Sequence, residues 1–426
     1  MKVIKTFEYS QLSVNEIDFT QAHFEQLVRY NEQHGNKYFS VGNKRIYFKK
    51  YVGVFQVGNL VIEILPKADK RNVTTDELKN KWHNALIYML HMCGYIKIDS
   101  ISRADLRLQD ITLVDIFYKL FLDEVKTIVH HGLIRAYRHK SDNLPYLKGR
   151  LVFNKHLSEN YLHKEKFYTV SQVYDHNNIY NQILCKALLV LKSNINKGNL
   201  FYSEICNLLF SFEEMDGINV SGKLFDSLVF TRNNHKYKSA ITLARLIIQN
   251  YSPDLKNGTN SVIGILFDMN VLFEKVVYRI LKKYEDKYTE SSLALYAQNS
   301  KEFWNSKTIR PDILGEYKPS VNEPKRQFII DTKWKIPQDG YPDDGDLKQM
   351  FAYNIHFGAK QSVLLYPKME GSREVSSPYR ESEAVKKEFN SHTCSTFFIN
   401  LFDEDGRINK NAGDDLMEFL CISSAR

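Results

Sequence analysis

The chain has 426 residues, with 58 Lys and Arg against 50 Asp and Glu for a net charge of +8. That length holds two or three domains, each able to bury its own core. Its longest apolar stretches, around residues 85–90 and 187–191, fall far short of the roughly 20 residues a membrane span requires, and residues 1–8 lack the apolar core of a secretory signal, so a cytoplasmic protein with no membrane contact is expected. Five scattered cysteines without CxxC spacing exclude a disulfide framework and a structural zinc site.

Residues 1 to about 70 are predicted to be mainly strands. Residues 38–41 and 44–48 flank a Gly42-Asn43 turn, and residues 52–57 and 60–65 flank Gly58-Asn59, so each set reads as a hairpin. Residues 76–92 read as a helix capped by Thr74 or Thr75, with Leu78, Trp82, Leu86 and Leu90 on its apolar side. A longer amphipathic helix follows from about 112 to 131, and further helices over 178–195 and 238–250 make the middle of the chain mostly α.

Between these helices basic side chains gather. Arg135, Arg138, Lys140, Lys148, Arg150, Lys155, Lys164 and Lys166 are interleaved with Tyr137, Tyr146, Phe153, Tyr161, Phe167 and Tyr168. With a pI near 8.9, this suits a polyanion. The expectation is salt-sensitive, sequence-blind contact with a phosphate backbone, weighed against a solvated basic face that does nothing specific. Residues 217–223 have the spacing of a nucleotide-binding P-loop, but Leu224 stands where that loop needs Ser or Thr, and the acidic run before it replaces a buried strand. No nucleotide site is expected in this chain.

A turn-rich break at 252–258 opens the C-terminal domain. From Asp268 to Lys283, apolar residues recur at Met269, Leu272, Phe273, Val276, Val277, Ile280 and Leu281, with Glu274 beside the stripe. Arg310-Pro311-Asp312-Ile313-Leu314 then leads through a polar connection to Phe328-Ile329-Ile330-Asp331-Thr332-Lys333-Trp334. Strand alternation puts Asp331 and Lys333 on one face, at the rim of a sheet. Asp312, at the head of a neighbouring strand, supplies a second carboxylate, and two oxygen donors suit Mg²⁺. Acid-x-Lys patterns also occur at Glu124, Asp254, Glu323 and Asp346. None follows such an apolar run, and each reads as a solvated pair. Glu274 is either a third ligand or orienter, or a flanking surface acid. Gln349 and Tyr353, four apart on a predicted helix over 346–353, bind phosphate, hold the lysine or are ordinary boundary residues. Residues 362–367 supply another buried strand, while the acidic stretch 337–346 reads as a loop near the active site or, in preference, as an exposed one.

Helix, strand, strand, helix, strand in this order resembles the PD-(D/E)xK restriction-endonuclease core. More narrowly, residues 268–367 resemble the nuclease domain of McrC, the cleavage subunit of modification-dependent, 5-methylcytosine McrBC restriction systems. Residues 51–67 and the segments Gly132–Tyr137, Asn143–Pro145 and Leu147–Leu151 resemble that family too, in the same order. The resemblance implies an α/β multidomain protein: a β-rich domain at 1–100 docking a GTPase partner, a mainly helical, basic middle at 101–250, and a PD-(D/E)xK domain at 251–426. It implies an Mg²⁺-dependent endodeoxyribonuclease acting on double-stranded DNA, with Asp312, Asp331 and Glu274 on the metal and Lys333 stabilising the transition state. The products would carry 5′-phosphate and 3′-hydroxyl ends.

A separate AAA+ GTPase resembling McrB would bind the GTP and move on DNA. The two N-terminal hairpins, with Lys44 and Arg45 at the first turn, would dock on it. A second copy is required to cut both strands. Two other readings stand beside this one: a non-cleaving adaptor that binds the GTPase and DNA, and a repair nuclease that works without a motor.

Overall fold

The computed structural model describes residues 2–16, 18–67, 75–96, 112–213, 215–252, 261–287, 293–318, 324–335, 337, 341–368, 372–380, 392–403 and 407–420. The chain forms two compact units: residues 1–54, 60–98 and 266–426 in one, and residues 55–59 and 99–265 in the other. The break expected at 252–258 lies, apart from Ser252, outside the described residues.

The first unit begins with β1 (Lys2–Phe7) and β2 (Gln11–Ser13), then α1 (Gln21–Gln33). This helix was not expected. Its sequence buries only Leu27, Tyr30 and Asn31, too thin a stripe to show as a helical period, and a Thr20 capping box fixes its start. β3 (Phe39–Gly42) and β4 (Arg45–Phe48) form the first predicted hairpin, and β2 pairs on the far side of β4. The turn falls one residue later than expected, on Asn43-Lys44, with Lys44 in the left-handed region at φ 51°. β5 (Tyr51–Val57) and β6 (Leu60–Leu65) follow, with β1 parallel to β6. Every residue of β6, and all of β5 after Tyr51, is buried. The strands of the second hairpin are therefore core, and its turn at Gly58-Asn59 reaches the surface. α2 (Asp76–Met92) is capped by Thr75, while Thr74 lies outside the described residues.

The second unit holds the expected long helix as α3 (Leu113–His130), then β7 (Ala136–Leu144), β8 (Arg150–Leu151), α4 (Phe153–Glu159) and β9 (Phe167–Asp175). The three strands make an antiparallel sheet in the order β7-β9-β8, not anticipated because β7 alternates no apolar face. α5 (Ile179–Asn194), α6 (Tyr202–Phe210), α7 (Gly222–Asp226), α8 (Lys238–Gln249) and β10 (Tyr251–Ser252) follow, and β11 (Val262–Asp268) runs from this unit into the first.

The first unit resumes with α9 (Met269–Lys287), in which all seven residues of the predicted stripe are buried. β12 (Ala294–Ala297), the hairpin β13 (Lys301–Trp304) and β14 (Lys307–Ile309), β15 (Ile313–Tyr317) and β16 (Arg326–Thr332) come next. α10 (Asp344–Phe357), β17 (Gln361–Pro367), β18 (Ser376–Pro378), β19 (Thr393–Ile399) and α11 (Ala412–Phe419) end the described chain. The large sheet has the order β12-β15-β16-β17-β19-β18. β16 is central, antiparallel to β15 and parallel to β17. α10 covers one face through Met350, Tyr353 and Phe357, and ends on Gly358, whose φ of 69° favours glycine.

Gly315 faces Phe328 across β15 and β16, and a Cβ there would meet the fully buried ring at 2.0 Å. Gly315→Val is therefore expected to destabilise the fold by about 3 kcal/mol through overpacking. Denaturant unfolding checks it: a midpoint equal to that of the native chain would contradict this packing.

Candidate active site

The end of β16 carries the site. Phe328, Ile329 and Ile330 are buried on both sheet faces, which anchors the strand so that its last residues project from a fixed base. One step beyond the last β15–β16 pair, Ile313 with Ile330, the register sets Asp312 opposite Asp331. Asp312 Oδ2 accepts hydrogen bonds from the Thr332 amide and hydroxyl, both at 2.7 Å. That capping fixes the Asp312 carboxylate beside Asp331.

Asp331 is only 2% exposed. Its Oδ2 forms an ion pair with Lys333 Nζ at 2.8 Å but has no aligned hydrogen bond. Burial, then the neighbouring Asp312 charge, pushes the Asp331 carboxyl up to about 7 against the pull of Lys333. Burial works against the Lys333 ammonium, but Asp331 and then Asp346 outweigh it and hold this lysine above the ordinary range. Gln349 Oε1 accepts from Lys333 Nζ at 3.1 Å, Gln349 Nε2 donates to the Tyr353 hydroxyl at 2.6 Å, and that hydroxyl donates to the Arg310 carbonyl at 2.8 Å. Of the roles open to Gln349 and Tyr353, the geometry shows them holding the lysine and the segment that leads into Asp312.

Glu274, on α9, accepts from Gln298 Nε2 at 2.7 Å. Its carboxyl is raised by burial and then by Asp312, the same neighbour that adds to the rise at Asp331. Among the described residues, no three acid, His or Cys side chains converge as a ready-made metal cage. The donors still suit a hard cation. Asp312 and Asp331 are adjacent carboxylates whose mutual repulsion a cation relieves, and Mg²⁺ commonly takes one or two carboxylates and completes its shell with water and substrate phosphate.

Asp346 corrects the sequence reading. The acid does not form a solvated pair with Lys348: its side chain is only 13% exposed and lies 3.4 Å from Lys333 Nζ and 2.7 Å from Lys335 Nζ, which fits a stretch near the site and not an exposed loop. Lys335 also pairs with Asp343. The N-terminal turn of α10 folds this acid back onto the end of β16. Lys348 stays exposed, with Asp344 at 3.9 Å.

The basic cluster lies in the second unit. Arg138 pairs with Asp175 at 2.9 Å and Asp216 at 3.4 Å, Lys140 with Asp142 at 3.1 Å, and Arg135 donates to His176. Those three are partly engaged by neighbouring side chains, whereas Lys148 and Arg150 are exposed. Lys44 and Arg45 are exposed at the first hairpin turn. Among the described residues, no helix is long and apolar enough to cross a membrane.

Residues 46–367 match the family model described as McrBC 5-methylcytosine restriction system component. The fold is similar to a chain in the refined half-complex from the tetradecameric assembly of Thermococcus gammatolerans McrB AAA+ hexamers with bound McrC. That match has a TM-score of 0.66 and 18% identity, and covers 99% of this chain and 100% of that one. A chain of the Thermococcus gammatolerans McrBC complex is also similar, at 20% identity and a TM-score of 0.48, over 66% of this chain and 88% of that one. No curated protein matches. The family model spans well over half of the sequence, so the chain belongs to the McrBC 5-methylcytosine restriction system component family.

Proposed function

We propose that this chain is a McrC-like, DNA-cleaving subunit of a McrBC-type restriction system, built on a PD-(D/E)xK nuclease core and dependent on Mg²⁺. The observation that carries the reading is the ion pair of buried Asp331 with half-buried Lys333, set beside Asp312 where β15 and β16 meet. A carboxylate pair with an adjacent half-buried ammonium is costly to fold and is a donor set suited to phosphodiester hydrolysis.

Asp312 and Asp331 would hold the metal, with Glu274 at its edge. When bound, the cation polarises the scissile phosphate and lowers the pKa of a bound water. Asp331, raised to about 7, ionises near neutral pH and becomes competent to bind. Lys333, held as an ammonium by Asp331 and Asp346, faces the negative charge that grows on the phosphate. Gln349 and Tyr353 restrict the lysine to that direction. Exposed basic residues of the second unit, Lys148 and Arg150 foremost, would supply phosphate contacts. The Thermococcus complex pairs McrC with AAA+ hexamers, which supports an AAA+ GTPase as this chain's partner. Lys44 and Arg45 on the exposed first hairpin are candidates for that contact. Cutting both strands calls for two copies.

The test compares the native chain and Asp331→Ala with the partner GTPase, GTP and Mg²⁺ on methylated and unmethylated plasmid. Cleavage is expected to vanish in the variant while stimulation of GTP hydrolysis survives. Equal cutting by both would move the chemistry away from Asp331, and a native chain that binds DNA and GTPase but never cuts would favour the adaptor reading.

A further inference from the structure

The ribbon β13–β14 stands immediately before the segment that delivers Asp312. Every described position from Lys301 to Thr308 is exposed, so the ribbon makes no core of its own. Its base is nevertheless fixed. Lys301 Nζ donates to the His356 carbonyl at 3.2 Å and lies 4.6 Å from the Phe357 ring centre, and the Phe303 ring lies 5.0 Å from that of His356. These contacts brace the ribbon on the last turn of α10. At its foot, the Arg310 carbonyl is held by the same Tyr353 hydroxyl that orders Gln349 and Lys333.

The free end is different. A register shift between Glu302 and Trp304 sets Trp304 opposite Lys307, and Asn305 takes the left-handed φ of 50° that turns the chain. Such a bulge re-aims a side chain. Trp304 is 70% exposed and its neighbour Phe303 52% exposed. Trp82 and Trp334, by contrast, are 9% and 5% exposed. An indole at the tip of a braced ribbon, paired across it with Lys307, loses apolar stabilisation unless something covers it.

Resting on the nuclease reading, we propose that β13–β14 is the element that engages double-stranded DNA beside the scissile phosphate, with Trp304 packing against bases in the groove. A two-stranded ribbon fits the major groove, and the longer strand of four residues reaches roughly 13 Å from its foot. Lys307 and Arg310 match the charge of the flanking phosphates. The ribbon's continuity with Asp312 places the contact next to the bond to be cut and sets the distance between groove contact and scissile phosphate.

Trp304 supplies its own probe, since it is the exposed tryptophan among two buried ones. The full-length chain carrying Asp331→Ala is titrated with a DNA duplex, and tryptophan emission and its quenching by acrylamide are followed. Duplex binding is expected to shift the emission and shield it from acrylamide, and Trp304→Phe is expected to abolish that response while keeping affinity. Trp304→Ala is expected to weaken duplex binding about tenfold. DNA that binds without moving the emission, or an unchanged affinity in Trp304→Ala, overturns the proposal. An emission shift on adding the GTPase but not DNA overturns it in favour of a protein contact. Persistent cutting by Asp331→Ala would instead move the chemistry away from Asp331, and a native chain that never cuts would defeat the nuclease reading; either leaves the ribbon's duplex contact standing.

Discussion

Lys333→Met is expected to lower DNA cleavage by roughly 10²- to 10³-fold at saturating Mg²⁺, the usual cost of removing one preorganised charge from the transition state. Methionine keeps most of the apolar stem, so the loss tests the ammonium and not the packing. Three contacts converge on that nitrogen: Asp331 at 2.8 Å, Gln349 at 3.1 Å and Asp346 at 3.4 Å. Without it, Asp331 and Asp346 face each other with Lys335 as the remaining nearby ammonium. Asp331 then becomes harder to ionise, and the pH profile of residual cleavage is expected to move to higher pH. Lys333→Arg is not expected to restore activity, because a planar guanidinium cannot occupy a point bounded by three partners at ammonium distances. Stimulation of the GTPase should be unaffected in either variant. Native-like cutting by Lys333→Met would remove this lysine from the chemistry and leave it as a structural counter-ion to Asp331.

The parts of this site that the sequence displays are those written in local periods. The α9 stripe repeats every three to four residues, and Phe328-Ile329-Ile330 is a short apolar run that ends on the functional pair. Asp312, Asp331 and Lys333 stand out because they interrupt or border such patterns. Asp346 does not. Its local neighbour Lys348 suggests a surface pair, and its true partners, Lys333 and Lys335, reach it only when the start of α10 folds onto the end of β16.

The β7–β9 sheet is hidden for a related reason: Ala136–Leu144 is largely exposed, with polar residues on both faces, so no alternation marks it. Glu8 is more remote still. It accepts the indole N–H of Trp334 at 2.6 Å across 326 residues, and nothing local to Glu8 announces that contact. Buried charge is a product of tertiary structure, and that is where reading by pattern stops.

The same buried charge governs how the fold responds to pH. Asp331 and Glu8 are both pushed up to about 7 from ordinary values of 3.8 and 4.5, each first by burial; Asp312 adds to the rise at Asp331, while the Lys67 amide and Trp334 oppose it at Glu8. A carboxylate with its folded value above its unfolded one keeps a proton that the unfolded chain has released. Stability therefore falls as pH rises from about 4 through about 7, and levels off above that.

Without divalent metal, the native chain is expected to be less stable at pH 8 than at pH 5 by on the order of a few kcal/mol. Asp331→Asn and Glu8→Gln should each remove part of that slope. Mg²⁺ tells them apart: it offsets repulsion only where the ionised carboxylate can bind it, so its stabilising effect at pH 8 should survive Glu8→Gln and disappear in Asp331→Asn. Equal Mg²⁺ stabilisation of both variants would place the cation elsewhere, and a flat native profile between pH 5 and pH 8 would mean that neither acid is held protonated by the fold.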